Sequence, residues 1–232
     1  QYIHIMDETQ GGHEHGLAVA HLASGATNNG VGLASIGYRT RINASEIDYF
    51  VFSYGYVRFM FERGTRVFNM SFVVSPASNP QNFVVMSDMF SDFAARGAIV
   101  VAGAGNTSNA ALNFPARHGD VISVTSVGRD KSHVNMADGS THVHNHLVDL
   151  SAPGYQLPFP KAYGGYRRYA TGTSFATAQT SGTIALMLSA NPCLGPDDVR
   201  QILTSTAEDI SMIPGNQPYA GQIGAGMLRA DR

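Results

Sequence analysis

The chain has 232 residues, 44 % of them apolar and 14 % charged, which is enough for one sizeable core and too apolar for a disordered segment. A net charge of −2 without any basic run argues against a nucleic-acid partner, and no apolar stretch has the length that crosses a bilayer. The single cysteine, Cys193, excludes an internal disulfide. Nothing reads as a linker, so residues 1–232 are expected to form a single domain, and an opening at Gln1 rather than Met points to processing or shortening at that end.

Tyr2–Met6 reads as a short strand ending at Asp7, and Gly16–Ser24 as a helix of small and apolar residues. Arg39–Ile47 is extended. Phe50, Tyr54, Val57 and Phe61 recur at helical spacing within Tyr49–Glu62, and Gly64 ends that helix. Val67–Phe72 is a strand. Phe83, Met86, Phe90 and Phe93 form one stripe of a helix over Asn82–Ala95, which Gly97 stops. Ala98–Ala102 and Val121–Val127 are continuous apolar runs of strand length. A long helix follows Ser174 and ends before Pro192. Pro196-Asp197-Asp198 opens the last helix, with proline in its first turn and acids at the positive end of its dipole. Strands and helices alternate, and the strands are apolar on both faces. That pattern predicts an α/β fold of three layers, a mostly parallel sheet covered by helices on both sides. Ligands of such sheets sit at the carboxyl ends of the strands.

Asp7 ends a strand, His15 follows at the start of a helix, and Ser174 begins another helix far downstream. A serine hydroxyl is a weak nucleophile and needs an adjacent base. Imidazole is the usual base, and a carboxylate fixes its tautomer. The oxyanion of an acyl transition state needs donors. Asn106, in "VVAGAGNTS", follows an apolar strand and a small-residue turn, and the Ser174 N–H lies at a helix start. Each residue alone has a plainer role: Ser174 as a helix cap, His15 as a structural histidine, Asn106 as a turn residue. The order Asp, His, Ser with G-T-S-F-A in place of G-x-S-x-G excludes an α/β-hydrolase and is the order of the subtilisin-like enzymes. Two other features stay outside this set. His142, His144 and His146 alternate in "THVHNH", read as a solvent-facing loop or hairpin without a fourth ligand, so no metal is assigned to them. "HEH" at 13–15 lacks the four-residue spacing of the metalloprotease helix.

The longer blocks share a common likeness. "HGLAVAHLASGATNNGVGLASIG", "RVFNMSF", "IVVAGAGN", "NFPARHGDVISVTSVGRD", "VDLSAPG", "GTSFATAQTSGTIALMLSANP" and "PYAGQIGAGMLRADR" resemble, in order, the segments of the subtilase family. The resemblance implies a secreted serine endopeptidase acting on peptide or protein substrates, with a propeptide or inhibitor as further partner and no cofactor in the chemistry. It implies Ser174 as nucleophile, His15 as general base and Asn106 as oxyanion donor. It also implies that Ser71, Phe72 and Val73, with Ala104 and Gly105, line the first specificity pocket and hold the substrate as an added strand. Val73-Val74 stands where the family commonly has glycines, so a narrower pocket is expected. The Asn28-Asn29-Gly30 loop resembles a contributor to the family's calcium sites, and a structural calcium stays open. The main departure is the acid. Asp7 precedes His15 by only eight positions, where the family has a much longer interval. Either Asp7 is the triad acid, or the acid strand lies upstream of this chain. The alternatives to a self-sufficient protease are a pseudo-protease that uses the fold for binding, or a chain completed by a separate N-terminal segment.

Overall fold

The structure is a computed structural model that describes residues 2–8, 13–30, 32–47, 54–74, 80–135, 137–161 and 165–231. In chain order the elements are β1 (Tyr2–Glu8), α1 (His13–Ser24), β2 (Arg41–Ile47), α2 (Tyr54–Glu62), β3 (Thr65–Met70), α3 (Pro80–Ala95), β4 (Ile99–Gly103), β5 (Val121–Val127), β6 (Leu150–Pro153), β7 (Leu157–Pro160), β8 (Tyr166–Ala170), α4 (Thr173–Ala190) and α5 (Pro196–Thr206), followed by a short 3-10 turn at Gln217–Tyr219. Residues 49–53 of the helix expected over Tyr49–Glu62 lie outside the described residues.

Strands β1 to β6 form one sheet in the order β2-β1-β3-β4-β5-β6. Every neighbouring pair in it is parallel. The chain first steps from β1 to β2 on one side, then returns past β1 to β3 and runs the other way. The strand order therefore reverses between β1 and β3, the place in an open α/β sheet where a crevice opens at the carboxyl ends.

The central strands alternate between two cores, as a period of two requires. Val67, Ile99, Val101, Ile122 and Val124 face α1, α4 and α5, together with Ala18, Ala178, Ile184 and Leu203. Phe68, Met70, Val100, Ala102 and Val121 face α2 and α3, together with Val57, Met86, Phe90 and Phe93. The phenylalanines expected on the α3 stripe thus form the second core, and each fully buried one contributes roughly 1.5–3 kcal/mol.

Helix α4 is buried on most sides, with 13 of its 18 residues inside, which explains its small residues. A Cβ on Gly182 would stand 2.5 Å from the Ala23 carbonyl oxygen of α1, so only glycine allows that crossing. Hydroxyls in its interior turns reach carbonyls one turn back. Thr177 Oγ1 donates to Thr173 O at 2.8 Å and Thr180 Oγ1 to Ala176 O at 3.0 Å.

Several boundaries differ from the sequence expectation. Strand β3 stops at Met70 rather than Phe72, because Ser71 leaves the ladder to bond α4. Helix α1 starts at His13, three residues before Gly16. Strand β6 and the antiparallel β7–β8 hairpin were not expected. Their prolines at 153, 158 and 160 argue against strands, and prolines are tolerated at sheet edges and strand ends.

Candidate active site

Ser174 is the second residue of α4 and 9 % exposed. Its Oγ donates to the Ser71 carbonyl at 3.2 Å, and Ser71 Oγ donates back to the Ser174 carbonyl at 3.1 Å. This reciprocal pair joins the carboxyl end of β3 to the first turn of α4. It is backed by a buried polar chain. Asn69 Nδ2 donates to Ser71 Oγ at 2.7 Å, and Ser181 Oγ donates to Asn69 Oδ1 at 3.2 Å. Sequence reasoning missed Asn69 and Ser181. An asparagine inside the apolar run "RVFNMSF" was the available signal, because a buried amide must find partners.

Asn106 follows β4 by three residues and is exposed. The Thr173 N–H donates to its Oδ1 at 2.8 Å, and Thr173 Oγ1 donates to the same oxygen at 3.1 Å. A backbone N–H can only donate, so the bond fixes which end of the amide faces α4. Nδ2, the donor end, points away from that N–H. Thr173 Oγ1 also accepts from the Gly105 N–H at 3.2 Å. The approach of β4 to α4 demands glycine at 103, where a Cβ would lie 2.8 Å from Thr173 Oγ1.

His15 lies in the first turn of α1, and its ring centroid is 5.9 Å from that of Phe175 at a tilt of 56°. Phe175 in turn stacks on Phe159 of β7 at 6.3 Å. The candidate base therefore meets the residue directly after the candidate nucleophile. Asp7 is the penultimate residue of β1, and Met6 pairs with Met70, so Asp7 is level with Ser71 at the carboxyl edge of the neighbouring strand. The Asp7 side chain lies outside the described residues.

The expected pocket residues divide. Ser71 is bonded to α4 as above. Phe72 turns into the α2/α3 core. Val73 is 40 % exposed, and Val74 N–H donates to the Phe114 carbonyl at 2.8 Å. Ala104 is buried, and its N–H donates to Val124 O at 2.9 Å. Gly105 has φ of 121°, and a Cβ there would collide with Asn113 Nδ2, so no other residue fits.

The "THVHNH" segment is not solvent-facing as a whole. His142 is 5 % exposed and stacks on Tyr155 at 4.6 Å, with Nδ1 bonded to Ser126 Oγ. His144 Nδ1 lies 3.3 Å from Nε2 of the fully buried His133, whereas His146 is exposed. Burial pushes His133 and His142 down to about 4, so both are neutral at pH 7. The same segment braces the turn that carries Asn106. Val143 N–H donates to Gly105 O at 3.0 Å and His144 N–H to Asn109 O at 3.2 Å. Ser108 Oγ donates to Thr141 O at 2.7 Å, and Asn145 Nδ2 to Ala111 O at 2.8 Å. No group of three or more His, Cys, Asp or Glu that could hold a metal occurs among the described residues. The Asn28–Gly30 loop has no carboxylate between Gly25 and Thr40, so it offers neutral oxygens alone, and a calcium there would need a carboxylate from another segment.

A model of the subtilase family matches residues 5–226. The chain is 26 % identical over 219 residues to the halolysin-like extracellular serine protease Nep of Natrialba magadii, covering 90 % of this chain and 37 % of Nep. It is 27 % identical over 210 residues to thermitase of Thermoactinomyces vulgaris, covering 87 % of this chain and 70 % of thermitase. The chain thus spans little more than a third of the first relative's length. Among solved structures, the psychrophilic subtilisin-like protease Apa1 of Pseudoalteromonas sp. AS-11 superposes with a TM-score of 0.77 at 14 % identity, covering 99 % of this chain and 91 % of Apa1. The fold is that of the subtilisin-like proteases, a three-layer α/β sandwich.

Proposed function

This chain belongs to the subtilase family, and from that footing we propose that it is a serine endopeptidase whose residues 1–232 act as one catalytic unit. Ser174 Oγ attacks the peptide carbonyl. His15 takes the hydroxyl proton and delivers it to the leaving amine. Asn106 Nδ2 and the Ser174 N–H stabilise the oxyanion. Water then releases the acyl group with His15 as base again. Asp7 orients His15. The acyl half of the substrate lies along Ser71–Val73 and Ala104–Gly105 as an added strand. Side chains and backbone donors carry every step. The working place is outside the cell, by analogy with the relative described as extracellular.

The observation that carries this reading is the pair of hydrogen bonds from Thr173 to Asn106 Oδ1, which leaves the amide's donor end Nδ2 available beside the start of the helix that bears Ser174. One rearrangement is required. The Ser174 hydroxyl donates to Ser71 O and turns toward His15 for the reaction. The rival reading, a binding protein with an incomplete triad, rests on the eight-residue interval from Asp7 to His15. Intact mass after incubation with a fluorophosphonate tests the proposal. A single adduct on the wild type and none on Ser174→Ala is expected. A folded wild type that takes no adduct refutes a working nucleophile and favours the rival.

A further inference from the structure

A second concave feature lies beside α4 and has no part in the reaction above. A groove of about 380 Å³ is lined by Asn135, Ala137, Asp138, Gln156 and Thr171. It shares no residue with the walls assigned to the acyl half, Ser71–Val73 and Ala104–Gly105. It is tied directly to the nucleophile's helix. Thr171 precedes the N-cap Gly172, and Gly172 N–H donates to Gly154 O at 2.9 Å. Thr171 Oγ1 accepts from the Gln156 N–H at 3.1 Å. Gln156 holds φ of 55°, a left-handed conformation that a non-glycine residue rarely adopts. Such a conformation persists where the surroundings hold it, here through the bond to Thr171.

The opposite wall is a closed turn. Asn135 N–H donates to Ser140 O at 2.7 Å, and Gly139 N–H donates to Asn135 O at 2.8 Å. Asn135 Oδ1 accepts from the Ala137 N–H at 3.0 Å. Asp138 sits exposed at the tip. Its Oδ1 accepts from the Ser140 N–H at 2.9 Å and from Ser140 Oγ at 2.6 Å. These bonds hold its carboxyl below the ordinary range, so the charge is present at neutral pH. The lysine of the same loop, Lys131, is paired with Glu208 instead. An open groove with one fixed carboxylate, an alanine and amide rims matches a basic side chain. The aliphatic stem rests on Ala137 and the cationic head reaches Asp138.

We propose that this groove is the subsite for the leaving half of the substrate and selects a lysine or arginine side chain there. The proposal rests on the reading of Ser174 as nucleophile, because the other walls are taken by the acyl half. Internally quenched peptides that place a single Lys, Gln or Glu at each of the first three positions after the cleaved bond test it. At low salt the Lys peptide is expected to exceed its Glu counterpart in kcat/KM by about fivefold at one position, the ceiling for an exposed ion pair. Salt should shrink the ratio. Asp138→Asn should bring it toward one, and Asp138→Lys should invert it. A ratio that Asp138→Asn leaves unchanged overturns the proposal. Binding of the Lys and Glu leaving peptides to Ser174→Ala, by fluorescence polarisation, separates the two readings. A wild type that takes no fluorophosphonate while binding still favours the Lys peptide through Asp138 keeps the groove and removes the protease. A labelled, active enzyme with no charge preference keeps the protease and removes the groove. A protein that neither labels nor discriminates loses both.

Discussion

The turn that carries Asn106 is tied down by residues 141–145 and by Thr173. His15 itself meets α4 at the ring of Phe175, and its helix follows β1 after four residues. One side of Ser174 is thus set by directional hydrogen bonds with fixed donors and acceptors. The other includes a ring contact that tolerates some tilt. Directional bonds preorganise a site, whereas ring contacts place a group without fixing its angle. Under the proposed mechanism, the half of the site around Asn106 is the one held by directional bonds before substrate arrives.

The comparison is broken most severely on the His15 side. If Asp7 orients the base, Asp7→Asn should lower kcat by about 10⁴-fold with the fold intact by circular dichroism. An active enzyme indifferent to that change has its acid elsewhere. If Asn106 Nδ2 is an oxyanion donor, Asn106→Ala should lower kcat by about 10²–10³-fold with KM little changed, since such a donor acts on the transition state. An equal rise in KM would show a role in ground-state binding instead.

The smallest expected effect concerns the brace behind Asn106. His133 and His142 titrate at about 4 in the folded chain against an ordinary 6.5. Between these values the unfolded chain holds more protons, so stability is complete above about 6.5 and falls as pH drops toward 4. Each group contributes a slope of at most about 1.4 kcal/mol per pH unit in that window. Thermal unfolding from pH 7 to 4 should show the fall, and His142→Gln, which keeps a polar head but does not titrate, should flatten it. An unchanged slope would place the acid sensitivity in other groups.

Strands β3 to β5 and helix α3 were legible because Val, Ile and Phe follow simple periods, and the ordered blocks that contain Ser174, His15 and Asn106 were legible as those of the subtilase family. The supports were not. "THVHNH" is polar and reads as exposed, yet His142 is buried by Ser126 and Tyr155, which are remote in sequence. His133 is likewise held by Asn216, whose Oδ1 accepts its N–H at 2.7 Å. Periodicity cannot announce such partners, because it reports only neighbours along one element. The same holds for Asn69, which looks like an interruption in a strand and serves as the link between β3 and α4.

The burial of α4 also has a consequence in time. Its partner strands β3, β4 and β5 end at Met70, Gly103 and Val127, well before Thr173 is made. During synthesis at 5–20 residues per second, the sheet face that α4 covers waits roughly 5–20 s after β3 is complete. Contacts so distant in sequence also form slowly in refolding. As β4 follows β3, a nascent chain of this architecture holds Val67, then Ile99 and Val101, without their α4 cover, which is when a chaperone has most to protect.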